Sequence, residues 1–124
     1  MFSIALLAAV TMPNATIMGD FDRDGRMDRV RLERKGEAYN IVMYRATGDV
    51  EPVQRGVTPV ENFKFKKVSR EARGAACQAA SVSRYVCDAG DVLEYGTASD
   101  YVIAIWNGSR FVLHRPLSPQ TAAS

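Results

Sequence analysis

Hydrophobic and polar residues alternate along much of this chain, with a period of two. In "RVRLER", Val30 and Leu32 stand between Arg29, Arg31 and Glu33, the pattern of a strand with one buried face. A turn at 35–37 leads into "AYNIVMYR" (38–45), rich in β-branched and aromatic residues, and the two segments predict a hairpin. "NFKFKKV" alternates again, with Phe63 and Phe65 on one face and Lys64 and Lys66 on the other. "DVLEYG" predicts a short strand. The last pair, "SDYVIAIW" and "RFVLHR", flanks Asn107-Gly108, a dipeptide suited to a type I′ turn because both of its central residues need positive φ. Earlier, "TGDVEPVQRGVTP" (47–59) carries the Gly and Pro punctuation of a loop. The alanine-rich stretch 69–81 predicts a helical turn or two, broken at Gly74.

These segments add up to about six or seven strands with at most one short helix. No helix-length amphipathic run separates the strands, which argues against a parallel βαβ sheet. A mainly β fold is expected: an antiparallel meander, small sandwich or barrel. It occupies one domain over 16–118, and "PQTAAS" leaves a loose tail at 119–124. The apolar run 2–10 has the character of a secretory h-region, although no Lys or Arg precedes it and cleavage after Ala15 would put Pro13 at minus three. Residues 1–15 are therefore either a signal peptide or the first buried element of the domain. The run is too short to span a bilayer as a helix.

Composition changes this picture little. With 124 residues, 47% hydrophobic and 24% charged, the chain can bury a core of its own and is not a disordered polymer. Charge changes it more. Net charge is +2 from 16 basic and 14 acidic residues, and four of the acids lie within 20–28. Without those four the remainder stands at +6. One concentrated acidic spot on a mildly basic domain favours a cation at that spot. The two cysteines, Cys77 and Cys87, fit one disulfide closing a short loop, as suits an exported protein; the alternative is a pair of buried thiols in a cytosolic one. Two cysteines and the single His114 do not make a closed zinc site.

The acidic spot reads "GDFDRDGRMD". Asp20, Asp22 and Asp24 occupy positions one, three and five, Gly25 is at six, the backbone carbonyl of Arg26 at seven and Asp28 at nine. Alternate carboxylates can face one centre, and a central glycine permits the tight turn that brings them there. Calcium, which takes several hard oxygen ligands, converts the mutual repulsion of the carboxylates into attraction. The loop resembles those of the EF-hand, dockerin and FG-GAP (integrin-like propeller) families. An EF-hand needs a bidentate Glu at position twelve, where this chain has Arg31 in a predicted strand. "GDFDRDGRMDRVRL" is more similar to the FG-GAP pattern. That resemblance implies Asp20, Asp22, Asp24, the Arg26 carbonyl and Asp28 as Ca²⁺ ligands; a single loop brings no propeller with it. The order of Asp loop, basic strand pair, Cys segment and closing "WNGSRF" hairpin resembles small uncharacterised exported proteins of proteobacteria. That implies a periplasmic or secreted place and no activity.

Other candidates are weaker. "NFKFKK" mixes aromatics and cations as single-strand nucleic-acid binders do, but alternation puts the two kinds on opposite faces, so no nucleic-acid partner is expected. His114 is expected on an outer strand face, without a nucleophile signature nearby. Asp91, Glu94 and Asp100 could pair as glycosidase carboxylates, and Tyr95, Tyr101, Trp106 and Phe111 could form an aromatic patch. Surface acids and cross-strand packing are the simpler explanations. The function expected is a small exported calcium-binding β domain, non-enzymatic, that binds a cell-envelope protein or glycan. The alternatives are an inhibitor or immunity-type protein that blocks an enzyme with a loop such as 48–59 or 77–87, and a small hydrolase with structural calcium.

Overall fold

A computed structural model describes residues 9, 11–68, 73, 77, 78 and 90–115. Among the described residues there are eight strands: β1 (Ala15–Gly19), β2 (Asp28–Lys35), β3 (Ala38–Tyr44), β4 (Val50–Val57), β5 (Lys64–Lys67), β6 (Leu93–Thr97), β7 (Asp100–Trp106) and β8 (Phe111–His114). They form two four-stranded sheets in which spatial order follows chain order, β1-β2-β3-β4 and β5-β6-β7-β8. Every pairing is antiparallel, and the sheets do not close into a barrel.

The inner faces of both sheets share one apolar core. Val30, Leu32, Tyr39, Ile41 and Met43 from the first sheet meet Leu93, Tyr95, Val102, Ala104, Trp106 and Phe111 from the second. The period-two alternation of β2 and β3 puts these residues inside, as each inner residue is buried and each outer one is not. Phe63 and Phe65 pack against the same core while Lys64 and Lys66 are exposed. Trp106 and Phe111 meet edge-to-face, with ring centroids 5.4 Å apart. The Tyr39 hydroxyl accepts from the Met12 N–H at 2.8 Å and donates to its carbonyl, so the segment before β1 is fastened to β3. Ala9 forms an isolated bridge with Val60.

Three expectations are corrected. The stretch 47–59 is not a loop: β4 occupies most of it. It lies at a sheet edge, where a proline such as Pro52 is tolerated, and its register with β3 shifts around Ile41. With β1, which the alternation did not reveal, this raises the count from six or seven strands to eight. The β7–β8 hairpin forms, but not through a two-residue type I′ turn. Trp106 pairs with Phe111, so residues 107–110 make the loop, and of Asn107 and Gly108 only the glycine has positive φ, 108°. The Asn107 Oδ1 instead accepts from the backbone N–H groups of Ser109 and Arg110, each at 3.0 Å.

His114 pairs with Ile103 on the face of the second sheet turned away from the main core, and it is half-buried there. That face is not simply solvated, because Cys77, Val92, Ile103 and Ile105 form a second buried cluster on it. Strand β7 is therefore covered on both sides, which explains its unbroken apolar run. Of the alanine-rich stretch 69–81, Arg73, Cys77 and Gln78 are described, and all three have helical backbone. Cys87 and the tail 119–124 lie outside the described residues. No described helix is long and apolar enough to cross a membrane.

Candidate metal centre

Gly19 and Asp28 are register partners, so residues 20–27 form the loop between β1 and β2. The four aspartates each turn one carboxylate oxygen to a common point. Those oxygens lie within 4.8 Å of one another, and Asp20, Asp22, Asp24 and Asp28 could together hold a metal ion. Gly25 sits at the bend with a φ of 84°, in the left-handed region where a side chain would be strained.

The carboxylates are not equivalent. Asp28 is fully buried and acts as the anchor: Oδ2 accepts from the Phe21 N–H at 3.0 Å and the Asp22 N–H at 3.4 Å, and Oδ1 accepts from the Ala46 N–H at 2.9 Å. It thereby ties the β1–β2 loop to the neighbouring β3–β4 loop. Asp20 folds the loop over itself, accepting from the N–H groups of Asp24 at 3.0 Å and Gly25 at 2.9 Å. Asp22 accepts from the Arg45 Nε at 2.7 Å. Asp24 accepts from the Arg26 N–H at 2.8 Å, with the Arg26 guanidinium 3.6 Å from its other oxygen.

Burial and mutual repulsion show in the titration of these groups. Burial, aided by neighbouring Asp22 and Asp24, raises the Asp20 carboxyl above its ordinary value although Gly25 and Asp24 donate to it. Burial likewise raises Asp28, with the charge of Asp22 adding to it and outweighing the three N–H donors. Burial also opposes charge on Asp22, but there the hydrogen bonds and charge of Arg45, with help from the neighbouring carboxyls, prevail and hold the group low. An ion placed among the four would remove the repulsion.

Two residues that nothing in the sequence ties to this loop complete the surroundings. Arg45 bonds Asp22 with its guanidinium and lies over the Trp106 ring at 5.3 Å, so it joins the loop to the second sheet. Asp91 accepts from the Asp20 N–H at 2.8 Å and donates its own N–H to the Asp20 carbonyl at 2.9 Å. Gly19 permits this approach, since a Cβ there would stand 2.8 Å from the Asp91 carboxylate. Sequence separation is the reason these partners were not legible: the contacts span 23 and 71 positions.

The remaining candidates do not gather. Asp91 is engaged with Asp20, Glu94 lies 3.5 Å from Lys66, and Asp100 lies 3.6 Å from Arg115. Tyr95, Trp106 and Phe111 are core residues, and Tyr101 packs against the second cluster. No family model, curated protein or solved structure matches this chain.

Proposed function

We propose that this is a small exported, non-enzymatic β domain whose 20–28 loop is stapled by calcium and which binds a protein or glycan of the cell envelope. The observation that carries the metal assignment is the convergence of four carboxylate oxygens within 4.8 Å on a loop fixed to both sheets. Calcium suits this donor set. It accepts many hard oxygens in a flexible cage, and the Arg26 carbonyl joins the ligands on the strength of the FG-GAP resemblance. Magnesium demands a smaller, rigid octahedron, and softer metals favour nitrogen and sulfur, which the cluster does not offer.

Export is supported by the apolar run 2–10 and by the spacing of Cys77 and Cys87, which suits one disulfide. Thiol titration of denatured protein from its native compartment should find no free thiol; two would overturn both. The non-enzymatic reading is favoured by the separate engagements of Asp91, Glu94 and Asp100 and by the place of His114 beside Ile103. The inhibitor alternative loses its first candidate loop, because 48–59 is largely strand β4.

The decisive experiment is a calorimetric and melting titration of calcium into chelator-treated protein. A dissociation constant near 10⁻⁴–10⁻³ M is expected, roughly that of extracellular calcium modules. At a hundredfold excess over that constant, mass action adds about 2.7 kcal/mol to stability. Asp22→Ala should abolish the calcium dependence. No heat and an unchanged melting temperature up to about 10 mM calcium, well beyond the expected range, would overturn the assignment.

A further inference from the structure

Strands β4, β6 and β7, from both sheets, line one cleft. Around Ile41 the register between β3 and β4 shifts, and this displaces the edge strand β4. Gly56 on β4 and Gly96 on β6 line the same gap and put no side chain into it. The volume of the cleft is about 490 Å³, within the range of small-molecule sites. None of its lining residues belongs to the aspartate loop.

The cleft has an apolar floor and a polar rim. Val57, Phe63 and Val102 form the floor, and Phe63 is only half-buried. On the rim, the Asp100 carboxylate and the Arg115 guanidinium stand 3.6 Å apart, with side chains 81% and 52% exposed. Deeper in, the Gln54 Oε1 accepts from the Tyr95 hydroxyl, which leaves the Gln54 amide nitrogen to donate elsewhere.

The geometry points to a neutral sugar as the ligand of this cleft. A carboxylate beside a guanidinium gives a strong acceptor and a strong donor with no net charge, so the rim selects neither anions nor cations. A wholly apolar ligand would cover Gln54, Asp100 and Arg115 without satisfying them. A sugar ring answers both parts: its hydroxyls accept and donate at the rim, and its C–H face lies on the Phe63 side. The inference rests on the reading of this chain as a binding domain and makes its partner a glycan. It does not depend on calcium.

The test uses the full chain, ¹⁵N-labelled, titrated separately with glucose, galactose and N-acetylglucosamine to about 100 mM, where millimolar affinities register. Expected are shifts at the amides of Thr97, Ser99 and Asp100 and at the Gln54 side chain, with the sugar left intact. Asp100→Ala, at an exposed position that leaves the fold in place, should weaken binding about tenfold, as loss of a charged hydrogen-bonding partner does. Phe63→Ala should weaken it too, read only if its spectrum remains folded. No shift at these residues with any of the three sugars overturns the inference. So does undiminished binding by Asp100→Ala, or tighter binding of acetate or sulfate than of any sugar. Hydrolysis or other conversion of a glycan would overturn the non-enzymatic reading alone and leave the cleft assignment standing.

Discussion

Asp28 and Asp24 look alike in the sequence, both at ligand positions of one loop, yet the structure predicts unequal costs for losing them. Asp28→Ala removes the acceptor of the Phe21 and Ala46 N–H groups, at 3.0 and 2.9 Å, and of a longer bond from Asp22 at 3.4 Å. Two good hydrogen bonds to a buried charged group are worth roughly 1.5–3 kcal/mol each. Relief of the Asp28 charge, which burial and Asp22 already disfavour, offsets part of that sum. A net loss of about 3 kcal/mol remains, equivalent to about 8–15 °C in melting temperature for a domain of this size. Asp28→Asn keeps one acceptor but sets an amide nitrogen against backbone N–H donors, and should cost about half as much. Asp24→Ala gives up one exposed bond to Arg26 and relieves repulsion, so it should cost under about 1 kcal/mol. The assay is urea unfolding in chelator, followed by fluorescence of the single, buried Trp106. If the Asp28 and Asp24 variants lose equal stability without metal, Asp28 is not the anchor and the account of the loop fails. With calcium present both variants should bind it more weakly, since each supplies a ligand.

Three further outcomes follow from the same geometry. Arg45→Gln should lower metal-free stability, because it breaks the 2.7 Å bond to Asp22 and the contact with Trp106, yet tighten calcium binding several-fold by freeing an Asp22 oxygen and removing a competing charge; parallel calorimetry and unfolding check both signs, and weaker calcium binding would refute the second. Gly96→Ala should cost more than about 2 kcal/mol, since its φ is 115° and a Cβ would stand 2.4 Å from the Asp100 carbonyl and 2.7 Å from the Tyr101 Cα, both backbone atoms. Gly25→Ala, with positive φ but open space around it, should cost about 1 kcal/mol, and equal losses at the two sites would contradict this. The Asp20 carboxyl is raised in the folded, metal-free state, so its contribution is present below the ordinary value of 3.8 and is lost as pH rises through the raised value. In chelator, the wild type should therefore lose stability relative to Asp20→Asn as pH climbs from 3.8 through the raised value, and a gain would reverse the sign of the argued burial effect.

What the sequence determined on its own was local. Alternation in β2, β3 and β5 assigned inner and outer faces correctly, because side chains of a strand point to opposite sides and only one side faces the core. The absence of helix-length apolar spacing excluded a parallel sheet, and four aspartates spaced around Gly25 marked the loop on which the carboxylates converge. Tertiary structure decided the rest. Pro52 and Gly56 read as loop residues and became strand because β4 found an edge, where one missing N–H and a shifted register are tolerated. Asn107-Gly108 signalled a two-residue turn, but pairing of Trp106 with Phe111 made the loop longer. The unequal roles of the aspartates were invisible for the same kind of reason. Which carboxylate is an anchor and which is exposed depends on Ala46, Arg45 and Asp91, brought to the loop from the β3–β4 connection and from the segment before β6. The cleft at Gly56 and Gly96 is lined from β4, β6 and β7, which only the tertiary structure brings together. Spacing along a chain fixes which faces a strand presents; what meets those faces depends on contacts between distant segments, and no local pattern encodes them.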